Sequence, residues 1–384
     1  MRHIALHILL DGVGWLQTEE TQLLAGLCPH RRPLTTVLGY SCGAVPTILT
    51  GKLPTETGQW AMWFYAPETS PFRGAAWLAK APAWLRHLLG ITRQQIVGDY
   101  KARRGITGYC EVYQIPDELL PLVDTCVGKS LYLPRALAPV ETLFDRWDAC
   151  RVPYRVYGYP TGDAESLRRA AADLAGDVAT TYFLHLYETD SFLHRKCDDP
   201  SAVRFRLAEY EAEITGLYAL ARSRAGVVSL TLFSDHGMTT VVAKEDVMCR
   251  ISDLSLRLGR DYMAIYDSTM ARFWFLRPPA EASIRKCLAG LSCGRVLPEE
   301  ELERLGLRFT DRRFGHLVFL MRPGWVINPS HMGNAPPVGM HGYHPEEDPA
   351  ANAALLSTWP IPNGVTHIQD LFGLLSRLNT SART

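Results

Sequence analysis

The sequence predicts an α/β protein: a mostly parallel central sheet flanked by helices, carrying a small α+β cap insertion. Three observations point there. Near-continuous apolar runs at 4–10, 181–186 and 227–233 alternate with helix-patterned segments, as expected of strands buried on both faces. Each run gives way within a few residues to an aspartate, Asp11, Asp190 or Asp235. From 243 to 320 the texture changes to shorter β-like runs and charged helices. These features assign 1–242 and 321–384 to the catalytic core and 243–320 to the cap.

Taken in order, 4–10 is the first strand. Its basic, apolar start looks like a secretory leader. However, His7 interrupts it, it is short, and no small-residue cleavage pattern precedes Asp11. A buried strand fits better. Residues 18–27 follow as a helix. Gly39-Tyr-Ser-Cys-Gly43 is a turn, and 45–49 continues as a helix. The segment 60–150, rich in Trp, Pro and Arg, shows no period. Residues 154–159 and 164–174 read as strand and helix, 181–186 as strand, and 200–223 as a long helix. The strand at 227–233 stops at Ser234-Asp-His-Gly237. The cap holds a helix at 244–257, β-like runs at 262–266 and 271–276 around Asp267-Ser-Thr, and a helix at 280–290. Its end is a charged stretch through Arg313. Residues 316–321 return to a strand pattern, and 366–378 is an amphipathic helix for the outside of the core. No internal repeat or low-complexity tract appears.

Composition narrows the function. The 384 residues carry 40 basic and 40 acidic side chains, so no bulk positive field favours nucleic acid. No apolar run reaches the roughly 18 residues a membrane span needs. Nine dispersed cysteines without a CxxC pair argue for reduced thiols and a cytoplasmic protein, and they exclude a zinc ribbon on spacing.

In a parallel sheet, functional groups collect at the C-terminal ends of the strands, which would bring Asp11, Asp190 and Asp235 together. Asp190 and His194 stand four residues apart; on a helix they would share one face, and on a tight turn they could still converge, while a surface Asp–His pair is the plainer reading. Asp235 and His236 can reach one ion only if the chain turns there, which Gly237 would permit; a satisfied core aspartate is the alternative. His341 lies in Gly339-Met-His-Gly-Tyr-His344, a candidate ligand loop or merely a flexible one, with His344 as a second candidate. Asp11-Gly-Val-Gly has neither GxGxxG nor a P-loop lysine, so Asp11 reads as a ligand. Ser41 would stand at a helix N-terminus, where free N–H groups and the dipole favour a phosphoryl oxygen; an ordinary N-cap serine is the rival reading. Asp11, Ser41, Asp190, His194, Asp235, His236 and His341 thus supply ligands for two divalent cations, and Ser41 a nucleophile. Cys42 is the competing nucleophile, less suited because a thiolate binds zinc tightly. Trp60, Trp63, Phe64 and Tyr65 would form a rim for stacking on a base, or pack as core.

These pieces together resemble the alkaline phosphatase superfamily, nearest its type I phosphodiesterase / nucleotide pyrophosphatase branch. The resemblance is carried by the strand ending at Asp11 and by Ser41 followed by Ile48-Leu-Thr-Gly-Lys-Leu-Pro-Thr-Glu-Thr-Gly58. Asp190-x-x-x-His194, Ser234-Asp-His-Gly-Met238 and Gly339-Met-His-Gly-Tyr343 complete it, in the family's order. It implies an alkaline phosphatase-like fold. It also implies Asp190, His194 and His341 on one metal, and Asp11, Asp235, His236 and the Ser41 oxygen on the other. The metals would be zinc, with manganese as the alternative. Ser41, nine positions before Thr50, falls where relatives carry the nucleophile. Gly43, Ala44 and Val45 replace the Pro-Ser-Arg of sulfatases, and Cys42 is one place off, so sulfatase activity is not expected. Ala44 replaces an asparagine that often holds a phosphate oxygen, a duty the Cys42 backbone N–H would take over. A monoester dianion calls for a further cationic partner, and none stands beside Ser41.

The expectation is therefore a two-metal hydrolase of phosphodiester or pyrophosphate bonds acting on a small nucleotide-like molecule through a Ser41 phosphoryl intermediate. The competing activities on one scaffold are phosphomonoesterase, phosphonate hydrolase and phosphomutase. A non-catalytic binding module is the remaining alternative.

Overall fold

The computed structural model describes residues 2–75 and 93–378. Strand β1 (His3–Leu10) runs through the middle of a six-stranded sheet, with every residue from Ile4 to Leu10 buried. Fully burying each such Leu or Ile contributes about 1.5–3 kcal/mol, so this strand is an anchor of the core. The other strands are β2 (His30–Leu34), β3 (Tyr154–Tyr157), β4 (Thr181–Leu186), β5 (Val227–Phe233) and β6 (Ala353–Ser357). Their order across the sheet is β2-β6-β5-β1-β4-β3. β1 pairs in parallel with β4 and β5, and β3 with β4; β6 runs against both its neighbours. Leu10 pairs with Leu186, and Leu9 with Phe233. This register brings β1, β4 and β5 to an end at one level, so the residues that follow them share one edge.

Among its helices are α1 (Trp15–Thr21), α2 (Ser41–Thr50), α3 (Asp163–Ala175), α4 (Glu188–Lys196), α5 (Pro200–Arg224) and α6 (Leu371–Leu378). α3 turns Leu167, Ala170 and Leu174 into the core while Arg168 and Arg169 pair with Glu165 in solvent, an amphipathic division. α5 begins where Asp199 accepts the Ala202 N–H and Pro200 fills the first turn, and ends as Ala225 becomes extended.

Several elements depart from the expected ones. The helix expected at 18–27 begins earlier, at Trp15, and stops at Thr21, because Gln22 and then Leu24 adopt left-handed backbone. The helix expected at 244–257 is a strand, Ala243–Glu245, followed by the shorter helix Val247–Ser252, started by the Asp246 carboxylate on the Cys249 N–H. β2 and β6 are strands that had not been expected. The irregular segment 60–150 contains the paired strands Trp63–Tyr65 and Val123–Thr125, and its stretch 76–92 lies outside the described residues.

The chain divides into two compact units, residues 1–57, 132–240 and 337–384, and residues 58–131 and 241–336. The second unit takes in the expected cap at 243–320 and also 58–131 and 321–336, which had been placed in the core. Internal bonds explain the difference. The Arg272 guanidinium donates to the Trp63 carbonyl at 2.7 Å, the Gln114 N–H to the His331 carbonyl at 2.8 Å, and Trp60 packs on Phe309 and Phe314. Its four-stranded sheet is antiparallel, in the order Tyr262–Tyr266, Met270–Phe275, Leu317–Met321, Gly294–Val296. No helix among the described residues is long and apolar enough to cross a membrane.

Candidate active site

The first unit delivers all seven predicted ligands to one sheet edge. Asp11 follows β1. Its N–H donates to the Leu186 carbonyl at 3.0 Å and its carbonyl accepts the Thr189 hydroxyl at 2.6 Å, so its backbone is fixed against the end of β4. Gly12 follows with φ of 75°, and a Cβ there would lie 3.1 Å from Asp190 Oδ1, so a side chain would press on that carboxylate. Asp190 and His194 are one turn apart on α4. The start of that helix is held from outside. The buried Asp163 carboxylate accepts the Tyr187 and Glu188 N–H groups at 3.0 and 3.1 Å and the Tyr210 hydroxyl at 2.6 Å. Asp235 and His236 follow β5, where Thr36 Oγ1 donates to the Asp235 carbonyl at 2.6 Å. His341 follows the strand Gly339–Met340, which pairs with Thr239–Thr240, so the loop is tied to the segment beyond His236. The His236 and His341 rings stack at 3.6 Å.

Two groups of ligand atoms result, each within 4.8 Å of one another: Asp190, His194 and His341, and Asp11, Asp235 and His236. In the first, His194 Nε2 lies 3.3 Å from Asp190 Oδ2 and His341 Nε2 lies 3.7 Å from Asp190 Oδ1. In the second, His236 Nε2 lies 3.2 Å from Asp235 Oδ2 and 3.6 Å from Asp11 Oδ1. Ser41 is the first residue of α2, and its hydroxyl lies 3.0 Å from His236 Nε2. The residue that caps α2 is Tyr40, without a side-chain bond, so Ser41 does not serve as an N-cap.

Burial and crowding of like charge dominate the electrostatics. Burial, then the charges of Asp235 and Asp190, push the Asp11 carboxyl well above the usual carboxylate range. Burial also raises Asp190, but His194, bonded to it, with His341 and His236 beyond, outweighs burial and holds the carboxyl well below its usual range. Burial lowers His194, yet Asp190 more than compensates and raises it. Burial and the neighbouring His236 push His341 well down. Three carboxylates without an arginine or lysine among them are a cluster that positive charge would relieve.

The donor set fits divalent cations. Asp11 Oδ1, Asp190 Oδ1 and Asp235 Oδ2 are buried and accept no hydrogen bond. His194 Nδ1 donates to the Gly339 carbonyl at 2.7 Å and His236 Nδ1 to the Gly237 carbonyl at 3.0 Å. Both rings therefore turn an Nε2 lone pair toward the carboxylates, the usual arrangement of a ligating histidine. Imidazole with carboxylate suits zinc-like ions.

Other expectations need correcting. Gly237, just past the bend at Asp235, is also needed for space: a Cβ there would lie 2.0 Å from the Ala350 carbonyl oxygen. Trp60 and Trp63 cannot serve as stacking surfaces, being 1% and 3% exposed. Trp60 packs against the Phe309 and Phe314 pair, and Trp63 packs on Phe72 while its indole N–H donates to the Glu111 carbonyl at 2.9 Å. Tyr65 is half-buried and lines a 540 Å³ cleft with Phe64, Trp274 and Arg313. Cys42, second in α2, is half-buried, and the hydroxyl that meets His236 is Ser41's. His344, the alternative ligand, is buried, and its Nδ1 accepts the Glu346 N–H at 3.2 Å.

Three residues were missed: Asp163, His185 and Tyr132. His185 Nε2 lies 2.8 Å from Asp11 Oδ2, and its Nδ1 bonds the Tyr132 hydroxyl. Burial lowers His185 to about 4, so the ring is neutral near pH 7. Its signal was a histidine inside an apolar strand, one residue before the strand's end.

Comparison with known proteins adds the following. A family model described as type I phosphodiesterase / nucleotide pyrophosphatase matches residues 5–344. Among solved structures, the chain is similar to murine ectonucleotide pyrophosphatase / phosphodiesterase 5, with TM-score 0.68, 16% identity, and coverage of 98% of this chain and 95% of that one. The human counterpart gives TM-score 0.67 and 13% identity over 98% of this chain and 95% of that one. An inactive variant of the murine protein, in complex with AMP, gives TM-score 0.67 and 16% identity over 99% and 95%. At these identities the likeness is one of fold. No curated protein sequence matches.

Proposed function

Because this chain belongs to the type I phosphodiesterase / nucleotide pyrophosphatase family, it is a metal-dependent hydrolase of phosphodiester or pyrophosphate bonds, and we propose that Ser41 is its nucleophile and a small nucleotide-like molecule its substrate. The observation that carries the proposal is the Ser41 hydroxyl lying 3.0 Å from His236 Nε2, within one of two carboxylate–imidazole triads. Asp11, Asp235 and His236 would hold one cation and Asp190, His194 and His341 the other, zinc being proposed from the donor set with manganese as the alternative. Bound there, such ions supply Lewis acidity that offsets charge on the reacting phosphoryl group and the leaving oxygen.

The protein's own groups do the rest. His236 Nδ1–H is occupied by the Gly237 carbonyl, so its Nε2 lone pair faces the Ser41 hydroxyl 3.0 Å away; with that lone pair taken by a cation held there, the Ser41 oxygen would stand beside the charge, favouring loss of its proton to solvent. Ser41 Oγ, its proton given up to water, forms a bond to phosphorus as the bond to the leaving oxygen breaks, producing a phosphoserine and a leaving group that takes a proton from solvent. Water then attacks that phosphorus and Ser41 departs. Two in-line displacements retain configuration at phosphorus. A chiral thiophosphate diester should therefore be hydrolysed with retention, and inversion would rule out the Ser41 intermediate.

Ala44, buried in α2, offers no side-chain donor, and no cationic side chain stands beside Ser41 in the sequence, which favours a monoanionic diester or pyrophosphate over a monoester. The AMP bound to the inactive murine relative supports a nucleotide as the substrate class. With both ions supplied, bis-p-nitrophenyl phosphate and a dinucleotide should turn over at least about tenfold faster than p-nitrophenyl phosphate, a difference of about 1.4 kcal/mol. Preference for the monoester would point to phosphomonoesterase activity instead. Nine cysteines, none in a disulfide, support assignment to a reducing compartment, the cytoplasm.

A further inference from the structure

We propose that His185 is the positioning residue that decides which oxygen of Asp11 meets a cation, and that the Tyr132 hydroxyl sets the His185 tautomer that makes this possible. This rests on the reading of the site as a two-cation centre.

The argument starts from what holds Asp11. Its backbone is fixed at both ends, by the Leu186 carbonyl at 3.0 Å and the Thr189 hydroxyl at 2.6 Å. Rotation of the carboxylate is the freedom that remains. His185 Nε2 lies 2.8 Å from Oδ2, while Oδ1 is buried, accepts no hydrogen bond, and lies 3.6 Å from His236 Nε2. One oxygen is thereby occupied and the other is presented beside Asp235 and His236. Such a carboxylate offers a single oxygen to an ion, already oriented, instead of losing rotational freedom on binding.

His185 can do this only as an Nε2–H donor. Its Nδ1 is bonded to the Tyr132 hydroxyl. With the phenol donating to Nδ1, the N–H of the ring is at Nε2, facing Asp11. The scaffold behind this chain is rigid. His185 is 8% exposed on β4, paired in register with Leu9 of β1, two residues before Asp11. The Tyr132 ring packs edge-on against Phe144 at 6.3 Å, and a Cβ at Gly158 would stand 3.0 Å from Tyr132 Cζ, so the phenol has little room to move.

The test uses the full chain, stripped of metal. Zinc affinities are measured by competition with a chromophoric chelator, and circular dichroism of the metal-free protein reports folding. Wild type should bind two ions. His185→Phe should weaken one of them by about 10–100-fold and leave the other within about threefold. His185→Gln, whose amide N–H can replace the Nε2 donor, should recover most of the loss. Tyr132→Phe should shift the same ion in the same direction by a smaller factor. A folded His185→Phe with wild-type affinity for both ions overturns the proposal. So does a Gln variant as weak as Phe, which would mean that only ring packing matters. Should His185→Phe not fold, Tyr132→Phe decides, and unchanged affinities there refute the proposal. A wild-type chain that binds no ion would instead refute the two-cation reading, and this inference with it.

Discussion

Replacing Ser41 by alanine should separate chemistry from folding. The change deletes one half-buried hydroxyl and one hydrogen bond, the 3.0 Å contact to His236 Nε2. A single such bond is worth about 0.5–1.5 kcal/mol of stability. Ser41 does not cap α2, so no helix-start penalty adds to it. The six carboxylate and imidazole ligands stay in place, so ion binding should persist. Turnover loses its attacking atom, and loss of a covalent nucleophile costs on the order of 10⁴-fold or more. That is about 5.5 kcal/mol at about 1.36 kcal/mol per decade, several times the stability cost. The assay is kcat/KM on bis-p-nitrophenyl phosphate, alongside bound zinc and the Tm. Residual turnover within tenfold of wild type, with both ions bound, would mean that water attacks directly and Ser41 is not the nucleophile.

Ions that bind only the folded chain stabilise it by about 2.7 kcal/mol each at 100 times their Kd, so chelation should lower the Tm and zinc restore it. In His194→Ala the restoration should be smaller, and an unchanged Tm response would remove His194 from the ligand set. Trp60→Ala should cost about 3–5 kcal/mol in denaturant unfolding, because the indole is buried against Phe309 and Phe314; a tenfold rise in KM without loss of stability would restore the stacking role instead. Burial pushes Cys28 up to about 12 and Cys110 up to about 11, from an ordinary 9.0. The unfolded thiols therefore lose protons first, so this share of stability is complete below pH 9 and falls as pH rises toward 11–12. The Tm should drop above pH 9, less steeply in Cys28→Ala with Cys110→Ala, and an equal slope in both proteins would show that these thiols are not responsible.

Local pattern made much of this molecule legible. β4 and β5 stand where their apolar runs stood, since a strand buried on both faces needs only a short, near-continuous hydrophobic stretch. Asp190 and His194 were readable because helical spacing alone puts them on one face. β6 escaped notice. Its Ala-Ala-Leu-Leu-Ser run is short and weakly β-forming, and it is a strand because β2 and β5 offer it edges on both sides. The aromatic cluster at 60–65 misled for a related reason: large rings look alike in sequence whether they line a cleft or fill a core. His185 and Tyr132 were invisible as a pair because 53 residues separate two groups that meet only through the fold.

The sequence by itself determined the chemistry on offer, carboxylates, imidazoles and one serine hydroxyl, and the strands and helix that carry most of them, because strand and helix periods are local properties of the chain. Only the tertiary structure decided how closely these groups approach one another, which oxygen of Asp11 accepts no hydrogen bond, and which aromatic rings are buried. Those outcomes depend on register and on contacts between residues far apart in the chain, and no local pattern encodes them.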